Sequence, residues 1–391
     1  MANISMFVWN DFRNDSRVLK EAETLVASGN VVTVFALSDS SGFLKSENLS
    51  SGINVVRVRR GFSLPKSLIK HKAYIFFVAA MRFFVHAKIF CMLARSRSDV
   101  IHTHDVNTLP TAWLASTFSS AKLIYDAHEI STSREGYKTL RKLVGGIEKR
   151  ITPKVDGMIT TTDARAKFFA RAYRIKRPVV LQNRPRLQAC MQSNRIREEL
   201  KLRQPWPIIV YQGGVQSGRG LERLARVAAD VPNAYFVFVG GGRLEGSLRS
   251  IVFELGLEER VHFIPTVPLA ELPSYTASAD IGVQPIENTC LNHYTTDSNK
   301  LFEYVQAGLP VVASDLPEIR RVVRAHDLGL LIPAGNSEAL TMALNELVAD
   351  EGKRKYYATQ SRKAAAVLNW ESQEHELLAL YGRVLSDSAS V

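Results

Sequence analysis

Lys300 and Glu303 lie three apart in the stretch DSNKLFEYVQAGLPVVASD, residues 297–315. The stretch predicts a short helix capped by Ser298 or Asp297 and stopped at Gly308, with Pro310 barring its continuation and PVVAS as the next strand. A helix start leaves N–H groups without helical partners, here those of Asn299, Lys300 and Leu301. With the helix dipole they make an anion site, and Lys300 adds positive charge in the same turn. A phosphate held there would bring sugar hydroxyls, such as those of a ribose, within reach of Glu303, and a carboxylate can accept from two vicinal hydroxyls. The same two residues could instead form an exposed ion pair worth about 0.2–0.5 kcal/mol. Their spacing does not choose between these readings.

The elements that must position such a site are legible as periodicity. Short β-branched runs alternate with longer helical patterns, the sign of parallel βα units. Strands are expected near 3–9, 31–37, 53–58, 99–103, 121–126, 156–161 and 178–182. A second series follows near 207–212, 234–239, 261–264, 280–284, 310–313 and 328–332. The fold class is therefore α/β, with two doubly wound Rossmann-like sheets, which bind ligands outside the carboxyl ends of their strands. Polar residues gather at those ends: Asp11 and Asn14, His104 and Asp105, then Asp126, His128 and Glu129. In the second series Gly213 and Gly214 follow one strand, and Gly240 begins the GGG turn after the next. Glycines after strands also serve ordinary turns, and GGVQSGRG and GGGRLEG are only loosely like a dinucleotide fingerprint. His102 and His104 share a strand face as a metal pair would, but no further His or Cys cluster supports one. The chain has no Asp-x-Asp pair. No metal and no cofactor are expected.

The 391 residues exceed one ordinary core, and a charged fraction of 23% suits a globular chain. Cys91, Cys190 and Cys290 are scattered and odd in number, which suggests a reducing cytosol. The opening MANISMFVWNDF does not read as a leader peptide. The net charge of +12 is uneven: ten basic residues and no Asp or Glu fall in the segment 57–97. Within it, residues 73–94 are as long as a membrane span but interrupted by Arg82, His86 and Lys88. That pattern suits an amphipathic helix on an anionic membrane better than a spanning one. The plainer alternative is a core helix with a solvated basic face. No recognition motif supports nucleic acid as the partner.

NKLFEYVQAGLPVVAS resembles the donor-site motif of the retaining glycosyltransferases of family 4, of the two-domain GT-B type. NDSRVLKEAETLVASGNVVTV, DVIHTHDVNTLP, KLIYDAHE, FVFVGGGRLEGSLRSIVFELGLEERVHFIPTVPLAELPSYTASADIGVQP and NWESQEHELLALYGRVL are similar to other segments of that family, in the same order. The resemblance implies an acceptor domain over 1–185, a linker over 186–206, a nucleotide-sugar domain over 207–369 and a closing helix over 370–391 that returns to the first domain. It implies two domains facing across a cleft. It assigns Glu303 to the nucleotide ribose, Arg219 and Lys300 to the donor phosphates with the helix start at Ser298, Asn299 and Leu301, and the backbone of Pro265–Val267 to the base. His128 would meet the donor sugar as a neutral imidazole, while Asp11, Asn14, His104 and Asp105 would lie on the acceptor side.

The chain departs from the family in two places. Thr295 stands where many relatives carry a first glutamate that contacts the donor sugar, with Asn288, His293 and Asp297 as nearby substitutes. Gly214 stands where a second basic residue is usual. The implied activity is metal-independent, retaining transfer of a sugar from a nucleoside diphosphate donor to a membrane-associated glycolipid or polysaccharide, in the cytoplasm at the inner face of the membrane. A nucleotide-sugar epimerase and a non-catalytic sugar-nucleotide-binding subunit are the alternatives, the missing glutamate being the best support for the second.

Overall fold

The computed structural model describes residues 1–38, 45–60, 72–134, 139–189 and 192–386. By its internal contacts the chain divides into two units, Met1–Leu181 with Glu374–Val391, and Gln182–Gln373. The first unit holds β1 (Asn3–Phe7), β2 (Val31–Ser38), β3 (Ser46–Asn48), β4 (Asn54–Arg59), β5 (Val100–His104), β6 (Lys122–Ala127), β7 (Gly157–Thr160) and β8 (Val179–Val180). The second holds β9 (Ile208–Gln212), β10 (Tyr235–Val239), β11 (Val261–Ile264), β12 (Ile281–Gln284), β13 (Val311–Ser314) and β14 (Gly329–Ile332). Every expected strand forms, within two residues at each end. The short edge strand β3, antiparallel to β4, was not foreseen: SEN has no apolar alternation to announce it.

The first sheet runs β3-β4-β2-β1-β5-β6-β7-β8 and the second β11-β10-β9-β12-β13-β14. Apart from β3 the strands are parallel. In each sheet the order reverses beside the first strand, between β1 and β5 and between β9 and β12, and a crevice at the carboxyl ends follows from that reversal. Runs such as VIHTH in β5, IIVYQ in β9 and YFVFV in β10 are buried on both faces, as parallel strands covered by helices must be.

Two placements differ from expectation. The polar stretch 186–206 lies within the second unit and carries the helix Arg195–Glu199, whose Ile196 joins the core there. The closing helix starts at Glu374 rather than Trp370. Trp370 is fully buried in the second unit, and its N–H donates to the Pro185 carbonyl at 2.8 Å. The helix Glu374–Ser386 buries Leu377, Leu380, Tyr381 and Val384 in the first unit, and Thr24 donates to Glu374 at 2.8 Å.

The helix Lys72–Arg95 is not a core helix with a basic exterior. It packs through the narrow stripe Val85, Ile89 and Leu93. Phe76, Phe83 and Phe84 are 76%, 69% and 68% exposed. Phe118, on the neighbouring helix Leu109–Ser119, is 75% exposed and meets Phe90 edge-on at 5.4 Å. Of the basic segment, residues 61–71 lie outside the described residues, as do Cys190 and residues 387–391.

Candidate active site

In the second unit the turns after β9 and β10 pack backbone against backbone. Gly240 has φ +134°, and a Cβ there would strike the Gly213 carbonyl, so only glycine fits. The turn 213–215 is thereby pressed beside the start of the helix Asn299–Gln306, and the Lys300 amino group passes over Gly213. Tyr304 pins this helix to the sheet, its hydroxyl bonding the carbonyls of Val210 at 3.1 Å and Val283 at 3.2 Å. Gln212, at the end of β9, accepts from Thr276 at 2.7 Å and donates to the Glu303 carboxylate. Glu303 is therefore held in a fixed orientation and half-buried.

Three details correct the sequence reading. Ser298, at the cap position, makes no side-chain cap bond. Ser298 sits in the left-handed region at φ +57°, a conformation that costs a non-glycine residue about 1–3 kcal/mol and clusters at functional sites. The Leu301 N–H already donates to the Ser298 carbonyl at 3.1 Å, which leaves those of Asn299 and Lys300 pointing beyond the helix. Lys300 is buried, over the Tyr211 ring at 5.0 Å and bonded to the Ser298 hydroxyl at 3.3 Å, so the exposed ion-pair alternative fails. Burial, then the nearby Arg219 guanidinium, depress its pKa to about 7, against the opposing pull of Glu303. At neutral pH this lysine is thus poised between its two charge states.

The other expected donor-side residues surround this point. Arg219 is half-buried in the turn after β9, and Thr266, between Pro265 and Val267, lies against Gly241 of the second turn. Gly214 contributes a carbonyl that accepts from Tyr211 at 3.0 Å. Thr295 is buried and bonds the Leu291 carbonyl at 2.7 Å, a structural role. Asp297 is buried and accepts from Gln182 at 2.7 Å, while Asn288 is exposed. The His293 ring abuts Gly218 of the Gly218–Arg219 turn, and its Nδ1 bonds Thr289 at 2.8 Å.

The first unit carries a cluster of a different kind. Asp15 caps the helix Ser16–Ala27 by accepting from the Val18 N–H. Arg17, in the first turn of that helix, forks onto Asp126 of β6 at 2.7 and 2.9 Å and donates to the Leu181 carbonyl at 2.6 Å. His128 Nε2 meets the same carboxylate at 3.0 Å, and its Nδ1 is 4.0 Å from Asp105. Asp105, left-handed at φ +64°, accepts from Arg134 at 3.1 Å. Burial works against a charge on His128, but Asp126 and Asp105 outweigh it and raise its pKa to about 9. His128 is thus an imidazolium at neutral pH, not the neutral ring expected. His104 is buried, stacked on His102 at 4.4 Å, and pushed down by burial, so it does not offer an open acceptor face. Asp11 and Asn14 lie in the loop after β1 and join none of these contacts; Asp11 accepts from the Arg13 N–H at 3.2 Å, and Asn14 is exposed.

Arg17 and Glu21 were missed because they look like ordinary helix-surface charges. The available signal was their spacing: they fall on the same face as Val18 and Leu25, which is buried. Glu21, His102, His104 and Asp126 offer donor atoms within 4.8 Å of one another, a distance a metal ion could bridge. The charges oppose it. Asp126 is already taken by the Arg17 guanidinium and the His128 imidazolium, two cations that a divalent ion would have to face.

Residues 15–184 match the family model described as a glycosyl transferase 4-like domain, and residues 192–364 match the one described as glycosyl transferases group 1. With the two Rossmann-like sheets, these matches define a glycosyltransferase of GT-B architecture. Among relatives, the phosphatidyl-myo-inositol mannosyltransferase of Mycobacterium leprae is 25% identical over 96% of this chain and 94% of its own. Sucrose-phosphate synthase from Thermosynechococcus elongatus shares the fold at a TM-score of 0.80, with 20% identity over 99% of this chain and 100% of that one. Anabaena HepE in complex with UDP-glucose does so at 0.74, with 17% identity over the full length of both chains.

Proposed function

We infer that the protein transfers a sugar, with retention, from a nucleoside diphosphate sugar to a membrane-associated glycolipid or polysaccharide acceptor. The observation that carries this reading is the second-unit constellation. Glu303, oriented by Gln212, stands one turn above a helix start whose two outward N–H groups, with Lys300 and Arg219, suit a diphosphate. Glu303 accepts the ribose hydroxyls. Arg219, Lys300 and the helix start stabilise the charge that develops on the departing phosphate, so these residues supply the electrostatic work without a metal. His128, as an imidazolium, donates a hydrogen bond to an oxygen of the transferred sugar. The Anabaena protein's UDP-glucose favours a uridine donor, and the Mycobacterium relative's phosphatidylinositol name favours a lipid-borne acceptor.

The helix Lys72–Arg95 supports action at a membrane surface. By length and composition, Phe76–Arg95 is apolar enough to cross a bilayer. Its inward stripe is committed to the first unit, however, and exposed Arg82 and Lys88 accompany the exposed phenylalanines. Phenylalanines entering the acyl boundary and basic groups at anionic headgroups fit a helix lying in the interface, on the cytoplasmic side.

A thermal-shift screen with UDP- and GDP-sugars tests the donor assignment, because a ligand of the folded state raises its melting temperature. One nucleotide series should stabilise wild type strongly. Glu303→Ala should bind the free nucleoside diphosphate about 1–3 kcal/mol more weakly with its fold intact. Unchanged affinity in that variant would show that Glu303 does not hold the ribose.

A further inference from the structure

Glu21 is fully buried, yet neither of its carboxyl oxygens has a hydrogen-bond donor. The nearest cation, Arg17 Nε at 3.2 Å, is turned to Asp126. Glu148, also fully buried in this unit, accepts from Tyr125, Tyr173 and Ser131. Glu21 has no such donors. His102 Nε2 and His104 Nδ1 stand 3.9 and 4.0 Å from it, and His102 Nδ1 is engaged with Tyr381 at 2.9 Å.

The surrounding charges are already balanced without it. Arg17 pairs with Asp126, His128 lies between Asp126 and Asp105, and Arg134 pairs with both Asp105 and Glu129. An ionised Glu21 would be a surplus buried anion beside a second carboxylate, and two carboxylates sharing a site cannot both ionise cheaply.

We propose that Glu21 is a positioning residue: it stays a neutral acid, donates its proton as a hydrogen bond to Asp126, and so holds that carboxylate in the orientation that Arg17 and His128 share. Burial first, then the adjacent Asp126, raise the Glu21 pKa to about 8, in agreement with this geometry. The groups facing Glu21 are Arg17 on its own helix, Asp126 of β6, His102 and His104 of β5, His128 beyond β6, and Tyr381 on the closing helix. Burial keeps both β5 histidines neutral at pH 7, so neither supplies a counter-charge. The protonation state stands without any assumption about the reaction; the link to turnover rests on the functional reading above.

The test is the melting temperature of Glu21→Gln against wild type from pH 5 to pH 8. Unfolded Glu21 loses its proton near 4.5, while the folded residue keeps it to about 8. Wild type therefore loses stability with rising pH across that window, and the amide does not. The variant should gain a few degrees on wild type as pH rises. In ¹³C-glutamate-labelled full-length protein, one carboxyl resonance that Glu21→Gln removes should titrate near pH 8. A constant melting offset, a resonance titrating near 4–5, or a Gln variant that does not fold would each overturn the proposal, since an amide replaces a neutral acid almost isosterically. For the positioning role, Glu21→Leu should lower kcat about tenfold at unchanged donor KM, with Gln restoring it; a Leu variant at wild-type kcat overturns that role. These outcomes separate from failure of the transferase reading, because melting and titration need no substrate.

Discussion

At the carboxyl ends of β5 and β6 the charges are side chains locked to one another: Arg17 and His128 on Asp126, and Arg134 on Asp105. At the carboxyl ends of β9 and β10 they are of another kind. Two glycine turns, an open helix start, a half-buried arginine and a buried lysine bonded to a serine hydroxyl leave positive potential unspent. Each site keeps one non-glycine residue in the left-handed region, Asp105 in the first and Ser298 in the second. The same sheet order therefore supports two solutions. The first unit satisfies its charges internally and presents a rigid, pre-ionised histidine. The second leaves its charges for an anionic ligand to complete.

Removing Asp126 breaks the first solution and should have the largest effect. Asp126→Ala strips the buried Arg17 guanidinium of its forked partner and leaves Glu21, at 3.2 Å, as its nearest carboxyl, which costs up to about 3–5 kcal/mol. Chemical denaturation should show that loss in the first unit; a loss below about 1 kcal/mol would mean the fork contributes little. A second expectation concerns the charge on His128. Its contribution to stability is full below about pH 6.5 and is lost as pH rises through about 9, because the folded ring keeps a proton that the unfolded chain releases. His128→Ala should therefore flatten the alkaline decline in stability. It should also lower kcat about a hundredfold or more with little change in affinity for the free nucleoside diphosphate. Turnover near the wild-type rate would make His128 a structural residue.

The second site should reveal its incompleteness through protons. A phosphate that restores the full charge of Lys300 must draw a proton onto it. Nucleotide binding should therefore take up protons at pH 8 and weaken by up to about tenfold per pH unit above 7. Calorimetry in buffers of different ionisation enthalpy measures the uptake, and Lys300→Met should abolish it. If wild type shows no uptake, Lys300 is already charged in the empty site and the contrast between the two sites weakens. The smallest expected effect lies outside both. Phe83→Asp with Phe84→Asp should reduce binding to anionic vesicles at high salt, whereas Arg82→Glu with Lys88→Glu should reduce it mainly at low salt. Identical binding by all variants would remove this helix from the membrane contact.

Much of the framework was legible in the residues. The alternation of β-branched runs and helical patterns marked all but one of the strands, because a parallel strand buried on both faces needs a continuous apolar run. Gly308 and Pro310 marked the end of the helix Asn299–Gln306 because those residues have few other conformations open to them. Gly213 and Gly240 marked turns, and the residues after them marked the ligand end of the second sheet. These features are local: the preference of each residue and its periodicity suffice.

What only the tertiary structure decided depends on who the neighbours are. Arg17 and Glu21 gain their roles only when the helix carrying them is laid against β5 and β6. Lys300 reads as a full charge until Tyr211 and Arg219 close around it. His128 reads as neutral until two carboxylates from different strand ends outweigh its burial. The helix Lys72–Arg95 reads as an amphipathic helix on a membrane or a core helix with a solvated basic face until packing shows which stripe is covered. The physical reason is the same in each case. Protonation and exposure are set by desolvation and by charges within a few ångströms, and the groups that supply them lie up to about 100 residues away along the chain, as Asp126 does from Arg17.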